Sequence, residues 1–245
     1  MVILMHLRRL QAAISLKLMP VIEIHGLKWY CPTPLCVWRA HTLFEKELET
    51  IEWIDAMTPD DVLWDIGANV GVYSLYAASR GIRVVAFEPC AANYAVLVRN
   101  VQLNGLGHLI RVLPIAMTQK TKLATLLMSD PRPGYALHQC IQQYGLDSLR
   151  QDVISYSIDD FTAMGVPFPT AIKCDVDGNE EEILRGASVT LRDPRLKGVM
   201  IEFENGDEGY QLLNDAGLRL KWKRQSPMFR GTPYAKYWNH GFSRE

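Results

Sequence analysis

Short apolar runs alternate with amphipathic stretches along most of the 245-residue chain. Runs rich in β-branched and aromatic residues predict buried strands, and apolar residues at helical spacing predict helices. The predicted strands are 62–66, 82–87, 109–115, 122–128, 153–158, 170–175, 198–204 and 218–222, and the main predicted helices are 41–57, 72–78, 91–103 and 207–216. Because strands and helices alternate, we predict an α/β fold with a doubly wound, mostly parallel sheet and helices on both faces.

The stretch from Asp61 to Pro89 has the pattern strand, tight turn, helix, strand. Its first strand closes at Gly67, and its second strand ends in Glu88, which Pro89 follows. The carboxyl ends of parallel strands meet at one edge of a sheet, so the glycine turn and the acid should lie together there. Such a crevice suits a nucleoside-containing ligand, because Glu88 can accept hydrogen bonds from both ribose hydroxyls.

The glycine spacing in this stretch argues against a dinucleotide site. A G-x-G-x-x-G pattern that starts at Gly67 would need glycine where Asn69 and Val72 stand. The chain instead has Asp65-x-Gly67-x-Asn69-x-Gly71, in which Gly67 permits a sharp turn and Gly71 a close approach at the helix start. The carboxylate of Asp65 favours a ligand that carries an ammonium group over a bare pyrophosphate.

Acidic side chains also follow two later strands. The predicted strand 170–175 ends in Asp175 and leads through Asp177 and Gly178 into an acid-rich helix start, and the strand 198–204 carries Glu202. These carboxylates should reach the same edge of the sheet. A metal on Asp175, Asp177 and Asn179 is conceivable, but a calcium loop would need its glycine two positions beyond Gly178, so we predict no metal.

Two motifs resemble those of the FkbM family of class I S-adenosylmethionine methyltransferases. Residues 65–71, DIGANVG, are similar to the family's motif I. Residues 173–178, KCDVDG, together with 184–187, LRGA, are similar to its second signature, from which the chain departs at Asp177, where the family usually has glutamate. The resemblance covers about residues 43–205.

The resemblance implies a Rossmann-like, seven-stranded sheet whose last strand is antiparallel, and S-adenosylmethionine as the cofactor. It implies transfer of a methyl group, most often to a hydroxyl of a sugar, a glycan or a secondary metabolite. Glu47 aligns with a recurrent glutamate of the family, and Ala116 would lie beside the adenine. The expected cofactor-binding residues are Glu47, Asp65, Gly67, Ala68, Asn69, Gly71, Glu88, Pro89, Ala116 and Asp175. The expected catalytic residues are Asp175 first, as base or acceptor orienter, and then Asp177 and Glu202.

The remaining segments suggest how the domain is extended. We predict an N-terminal helical extension over residues 1–57 that serves as a lid, and a methyltransferase domain over 58–245. The segment 129–153, with Tyr135 and His138, is longer than ordinary connections and could cover the substrate. The basic and aromatic residues from Leu218 onward favour an edge pair of strands, with a sugar-stacking surface as the alternative.

The charge and the cysteine content of the chain limit the kinds of partner and the compartment that we expect. A net charge of −1 and a pI near 6.6 give no reason to expect nucleic acid as the main partner. Five cysteines without a CxxC pair indicate free thiols in a reducing compartment, so we predict a cytoplasmic protein. The N-terminal apolar residues are interrupted by charges, which argues against stable membrane insertion. A homo-oligomer is possible, and the acceptor is not identified by the sequence.

Two other functions stay open from the sequence. One is a nicotinamide-dependent oxidoreductase, which the glycine spacing opposes. The other is a non-catalytic nucleoside-binding protein on the same fold, which the departure at Asp177 leaves open.

Overall fold

The computed structural model describes residues 20–128, 130–136, 138–141, 149–203 and 207–244. The strands are β1 (Val21–Ile24), β2 (Leu27–Tyr30), β3 (Val62–Ile66), β4 (Arg83–Phe87), β5 (Ile110–Leu113), β6 (Ala116–Met117), β7 (Lys122–Met128), β8 (Gln139–Ile141), β9 (Leu149–Tyr156), β10 (Ala171–Cys174), β11 (Gly198–Phe203), β12 (Arg219–Arg224) and β13 (Trp238–Ser243). The α-helices are α1 (Pro34–His41), α2 (Leu48–Asp55), α3 (Val72–Ser79), α4 (Ala91–Leu103), α5 (Ile158–Thr162), α6 (Glu180–Arg185) and α7 (Asp207–Asp215).

The main sheet has seven strands in the order β12-β13-β11-β10-β3-β4-β5. The neighbouring strands from β11 to β5 pair in parallel, whereas β13 is antiparallel to both β11 and β12. This architecture confirms the predicted α/β class and the antiparallel last strand. It also confirms that the C-terminal basic and aromatic region forms an edge pair of strands.

Two hydrophobic cores cover the two faces of this sheet. Successive residues of β3 alternate between them: Leu63 packs in the core of α1 to α4, and Trp64 packs in the core of α5 to α7. In the second core, the rings of Trp64, Phe87 and Phe161 have centroids 5.1 to 5.6 Å apart. Because both faces are covered, the central strands are apolar along most of their length, and Asp65 is a buried exception.

A smaller sheet of four strands, in the order β6-β9-β7-β8, stands beside the main one. The predicted strand 122–128 is confirmed as β7. The predicted strand 153–158 is wrong in its bounds, because β9 begins at Leu149 and ends at Tyr156. Ser157 is the N-cap of α5, and its side chain accepts a hydrogen bond from the Asp160 amide at 3.1 Å, which ends the strand.

The predicted helix over 41–57 is also wrong in its first turns. One helix, α1, ends at His41, and the next, α2, begins only at Leu48. The helix α1 begins at Pro34, before the predicted start at residue 41. Its start is fixed by the Thr33 side chain, which caps it, and by proline at the first helical position. The hairpin of β1 and β2, which precedes these helices, was not predicted.

No helix in the described ranges is long and apolar enough to cross a bilayer. The division of the chain at residues 57 and 58 stays a prediction. Residues 1–19, with which the expected N-terminal helical extension begins, lie outside the described part of the chain.

Candidate functional site

A cavity of about 590 Å³ opens at the carboxyl edge of the main sheet. The turns after β3, β4 and β10 and the end of β11 contribute to its wall. The predicted site residues that line it are Gly67, Asn69, Glu88, Pro89, Asp175, Asp177 and Glu202. The sheet topology thus brings together residues that lie up to 135 positions apart in the sequence.

Gly67 lies in the cavity wall at a position where a side chain would not fit. Its backbone φ is +82°, and a Cβ atom at this position would stand 1.9 Å from the backbone oxygen of Asp175. The amides of Gly67 and Ala68 both donate to the carbonyl oxygen of Phe87 at 3.0 Å. The turn therefore joins the ends of β3, β4 and β10 and leaves no room for a side chain.

Glu88 is held by backbone amides at both carboxylate oxygens. Its Oε2 accepts from the Asn69 amide at 2.7 Å, and its Oε1 accepts from the Cys90 amide at 2.9 Å. The side chain is 4% exposed, and burial outweighs these hydrogen bonds and raises the pKa of Glu88 to about 7. Each oxygen retains acceptor capacity, so the carboxylate is suited to bind ligand hydroxyls.

Five of the residues that we expected to bind the cofactor do not line the main cavity: Glu47, Asp65, Ala68, Gly71 and Ala116. Asp65 lies behind it, where it accepts a hydrogen bond from the Ser74 hydroxyl at 2.5 Å. Gly71 is the N-cap of α3, and a Cβ atom there would stand 2.2 Å from Leu97 Cδ1, so its close approach is to the core. Ala68 is buried in the same core.

A buried ion pair stands at the end of β10. Lys173 is 1% exposed, and its Nζ lies 3.1 Å from Asp175 Oδ2 and 3.8 Å from Asp65 Oδ1. Burial alone would raise the pKa of Asp175, but the positive charges of Lys173 and Lys46 outweigh it and hold this pKa below its usual value. Asp175 is therefore an ionised carboxylate at the cavity wall.

Glu202 is the second carboxyl group of this wall. Its surroundings raise its pKa, whereas those of Asp175 lower the pKa of that residue. It projects from β11 and is 8% exposed. Burial raises its pKa well above the usual value, and the negative charges of Asp175 and Glu47 raise it further. One cavity therefore contains two carboxyl groups whose proton affinities are driven apart, an arrangement typical of acid–base sites.

Asp177 lies on a tight turn. Its φ is +61°, and Gly178 follows with a φ of +115°. Glu180 Oε1 accepts from the amides of Gly178 at 3.1 Å and Val176 at 3.3 Å, which fixes the turn. Burial raises the pKa of Glu180 to about 7. We did not single out Glu180 from the sequence, although an acid in the first turn of a helix after a glycine indicates this role.

Glu47 lies outside the cavity lining and supports a residue within it. It forms an ion pair with Lys46, and its Oε2 accepts hydrogen bonds from Tyr73 Oη at 2.8 Å and from Thr50 Oγ1 at 3.3 Å. Lys46 lines the cavity, and its ammonium lies 5.3 Å from the centroid of the Phe229 ring. Glu47 therefore anchors a lysine that sequence reasoning missed.

Sequence reasoning also missed Leu35, Trp38, Arg39 and Asn93, which line the cavity. Phe229 and Tyr237 line it as well, and they belong to the C-terminal aromatic region for which we gave a sugar-stacking surface as the alternative. Aromatic and basic residues near Phe229 had been noted, but nothing in their spacing placed them at this edge of the sheet.

Ala116 lines a slot of about 30 Å³ that adjoins the main cavity. Its other walls are mostly apolar and include Phe87, Ile115 and Met117. The slot and the main cavity share Gly67 and Pro89. It therefore offers a small apolar extension beside Glu88, which suits the edge of a flat ring.

Part of the segment 129–153 lies over the cavity. The carbonyl oxygen of Tyr135 accepts hydrogen bonds from the side-chain amides of Asn69 at 2.9 Å and Asn93 at 3.1 Å. The Gly134 amide donates to Asn93 Oδ1 at 2.8 Å. Tyr135 and His138 both line the cavity. Residues 129, 137 and 142–148 of this segment lie outside the described part of the chain.

The protein-family model described as the methyltransferase FkbM domain matches residues 65–220 of the chain. Hexuronic acid methyltransferase AglP of Haloferax volcanii is 24% identical over 172 residues, which are 69% of this chain and 67% of AglP. The 31-O-demethyl-FK506 methyltransferase FkbM of Streptomyces tacrolimicus is 25% identical over 212 residues, with 72% of this chain and 79% of that protein covered.

Other similarities are partial. The AMB antimetabolite synthetase AmbE of Pseudomonas aeruginosa is 37% identical over 100 residues, which are 40% of this chain but only 4% of AmbE. The crystal structure of methyltransferase FkbM from Methylobacillus flagellatus KT aligns with a TM-score of 0.52 at 17% identity, over 76% of this chain and 44% of that one. This alignment supports the fold. The domain match includes β4, β5, β10 and β11 and the cavity residues from Gly67 to Glu202. The chain belongs to the FkbM family of methyltransferases.

Proposed function

We propose that the protein transfers a methyl group from S-adenosylmethionine to a hydroxyl oxygen of a sugar, a glycan or a secondary metabolite. The observation that carries this proposal is that Glu88, which is bonded to the Gly67 turn through the Asn69 amide, lines the same cavity as the carboxyl groups of Asp175 and Glu202. Glu88 and the Gly67 turn suit the binding of a nucleoside, and the carboxyl groups of Asp175 and Glu202 suit the orientation of an acceptor hydroxyl and the removal of its proton.

The residues present fit the proposed cofactor. Gly67 offers bare backbone where a side chain would collide with Asp175, and Glu88 offers two fixed acceptor oxygens for ribose hydroxyls. The apolar slot at Ala116 would take part of the adenine. S-adenosylmethionine supplies a methyl group on a positively charged sulfur, which reacts with an oxygen nucleophile without further activation.

The protein must then orient the acceptor hydroxyl and accept its proton. Asp175 stays ionised, so it is suited to accept a hydrogen bond from the acceptor and hold its oxygen in line with the methyl group. Glu202, with its raised pKa, is the stronger base of the two once it is ionised, so it must release its own proton to solvent before it can accept the proton of the acceptor hydroxyl. We therefore assign orientation to Asp175 and proton acceptance to Glu202. Asp177, on the turn beside them, is the next candidate.

The names of two relatives support an oxygen acceptor. The Haloferax relative is named for a hexuronic acid, and the Streptomyces relative is named for a demethylated position of a secondary metabolite. Three aromatic side chains, Trp38, Phe229 and Tyr237, line the same cavity and would suit stacking on a sugar ring.

Calorimetric titration tests this proposal against its main alternative. We expect S-adenosylmethionine to bind more tightly than NAD, because the turn after β3 lacks two of the three glycines of a dinucleotide site. Tighter binding of NAD would replace the proposal with an oxidoreductase.

Replacing Glu88 with alanine should weaken S-adenosylmethionine binding. Loss of hydrogen bonds from the ribose to a charged group costs about 1.5 to 3 kcal/mol, or roughly ten- to hundredfold in affinity. Calorimetry would measure the change, with Glu45→Ala as a control because Glu45 is exposed and does not line the cavity. Equal affinity of Glu88→Ala and the parent protein would remove Glu88 from the ribose site.

The affinity for S-adenosylmethionine should also fall at acidic pH. Ribose hydroxyls donate to the ionised form of Glu88, whose pKa is about 7 before the ligand binds. Binding is therefore strongest above pH 7 and weakens as the pH falls through 7, by about tenfold between pH 8 and pH 6. In Glu88→Gln, which cannot ionise, this dependence should largely disappear. A slope that persists in Glu88→Gln would assign the titration to another group.

A further inference from the structure

Most cations of the cavity region are neutralised by an adjacent carboxylate. The pairs are Lys46 with Glu47, Lys173 with Asp175, and Arg132 with Asp130. Arg39 differs from them. It lines the cavity, and within the described ranges no carboxylate oxygen lies within 4 Å of its guanidinium group.

The guanidinium of Arg39 is nevertheless held in place. Arg39 lies in the last turn of α1, and its Nε donates to the carbonyl oxygen of Gly134 at 2.6 Å. Thr33 ties the start of the same helix to this loop, because its hydroxyl donates to the carbonyl oxygen of Pro133 at 2.7 Å. The Nη1 and Nη2 atoms of Arg39 form no hydrogen bond with the residues that the structure describes.

Arg39 is half-buried, and its Nη1 and Nη2 atoms are not among the buried atoms that lack a partner, so they are accessible to an acceptor group of a ligand. Arg39 also exerts its charge on the cavity carboxylates, because it acts to lower the pKa values of both Glu88 and Asp175. Those carboxylates lie too far away to bond to it. A guanidinium fixed at Nε presents its other two nitrogens as a planar fork, whose geometry matches the two oxygens of a carboxylate.

We propose that Arg39 binds the carboxylate of a ligand in this cavity through Nη1 and Nη2. This inference rests on the proposed function and names the ligand chemistry of the same site. Two ligands could bring the carboxylate: the amino-acid end of S-adenosylmethionine, or an acidic acceptor such as a uronic acid. The name of the Haloferax relative, a hexuronic acid methyltransferase, is consistent with the second source.

The first arm of the test uses two ligands that share the nucleoside. S-adenosylhomocysteine has the amino-acid end, and 5′-methylthioadenosine lacks it. If the cofactor brings the carboxylate, Arg39→Ala should weaken S-adenosylhomocysteine binding about ten- to hundredfold and leave 5′-methylthioadenosine within a few fold. Arg39→Lys keeps the charge without the fork and should recover only part of the loss.

A matched variant separates carboxylate binding from loosening of the loop. Thr33→Val removes both the neighbouring tie to Pro133 and the side-chain cap of α1, but it leaves the Arg39 side chain intact. It should affect both nucleoside ligands to the same extent. An equal loss for both ligands in Arg39→Ala as well would mean that Arg39 acts on the loop only.

The second arm tests an acidic acceptor. Glucuronate and glucose are titrated into the protein saturated with S-adenosylhomocysteine. If the acceptor brings the carboxylate, the parent protein should bind glucuronate more tightly than glucose, and Arg39→Ala should abolish this preference. The proposal is supported if Arg39→Ala selectively weakens S-adenosylhomocysteine binding in the first arm or removes the preference for glucuronate in the second. It is overturned if neither effect is seen, and the proposed function then still stands. A parent protein that binds neither S-adenosylhomocysteine nor 5′-methylthioadenosine would instead overturn the proposed function, and this inference with it.

Discussion

Gly67→Val is expected to abolish binding of S-adenosylmethionine. The first atom of the new side chain would stand 1.9 Å from the Asp175 backbone oxygen, and the backbone φ of +82° is strained for valine. The ends of β3 and β10 would have to separate, which displaces both the turn and Asp175. Calorimetry should detect no binding at concentrations that saturate the parent protein.

Gly81→Val is the matched control for this prediction. Gly81 has a nearly identical φ of +85°, but the nearest atom to a Cβ there is Pro59 Cγ at an ordinary 3.6 Å. Both variants carry the backbone strain, and only Gly67→Val carries the collision at the cavity. Thermal unfolding should therefore occur at a lower temperature in both variants than in the parent protein. Calorimetry should show that Gly81→Val still binds the cofactor. Unchanged affinity in a folded Gly67→Val would place the cofactor elsewhere.

Glu202→Gln should lower kcat by about 10² to 10⁴, the range that a positioned general base contributes. Glutamine keeps the size and the hydrogen-bonding capacity of Glu202 but cannot accept the proton. Because the loss arises in the transition state, kcat and kcat/KM should fall together while the S-adenosylmethionine dissociation constant stays within a few fold. Steady-state kinetics and calorimetry on the same preparation would measure both.

Asp175→Asn separates the two carboxyl groups. If Asp175 orients the acceptor, its loss should raise the acceptor KM as well as lower kcat, because the ion pair with Lys173 is also broken. Near-parent kcat in Glu202→Gln combined with a large loss in Asp175→Asn would transfer the role of base to Asp175. Loss of S-adenosylmethionine binding in Asp175→Asn would place Asp175 in the cofactor site.

Much of the sheet was predictable because its signals are local. The buried runs around Trp64 and Phe87 and the glycine turn at Gly67 fix a strand, a crossover helix and a second strand within 30 residues. The parallel pairing of these strands then places Glu88 next to Gly67 without knowledge of the rest of the chain.

The other wall of the cavity was not predictable in the same way. Lys46 reaches it because the chain leaves the helical conformation between α1 and α2, whereas periodicity alone predicts one helix over 41–57. Arg39 lies in α1, which was not predicted. Phe229 lies more than 180 residues later and meets Lys46 only in the folded protein. Pairings across such distances leave no periodic trace in a single sequence.

The burial of the acidic residues also decides their roles, and this burial is not evident from the sequence. Asp65 reads as a ligand-binding acid, yet it lies behind the wall beside Lys173. Glu202 and Asp175 look equivalent as acids at strand ends. The nearby lysines lower the pKa of Asp175, whereas burial and neighbouring carboxylates raise that of Glu202, and only the three-dimensional arrangement separates them.

Methyl transfer itself tests the central claim most directly. The protein would be incubated with S-adenosylmethionine that carries a deuterated methyl group and with an extract of glycans and small metabolites, and the products would be analysed by mass spectrometry. We expect S-adenosylhomocysteine to accumulate together with an acceptor that carries the labelled methyl group on oxygen, and we expect neither product with Gly67→Val. A protein that binds S-adenosylmethionine but leaves the label on it in the presence of every fraction would contradict this account and identify a non-catalytic nucleoside-binding protein.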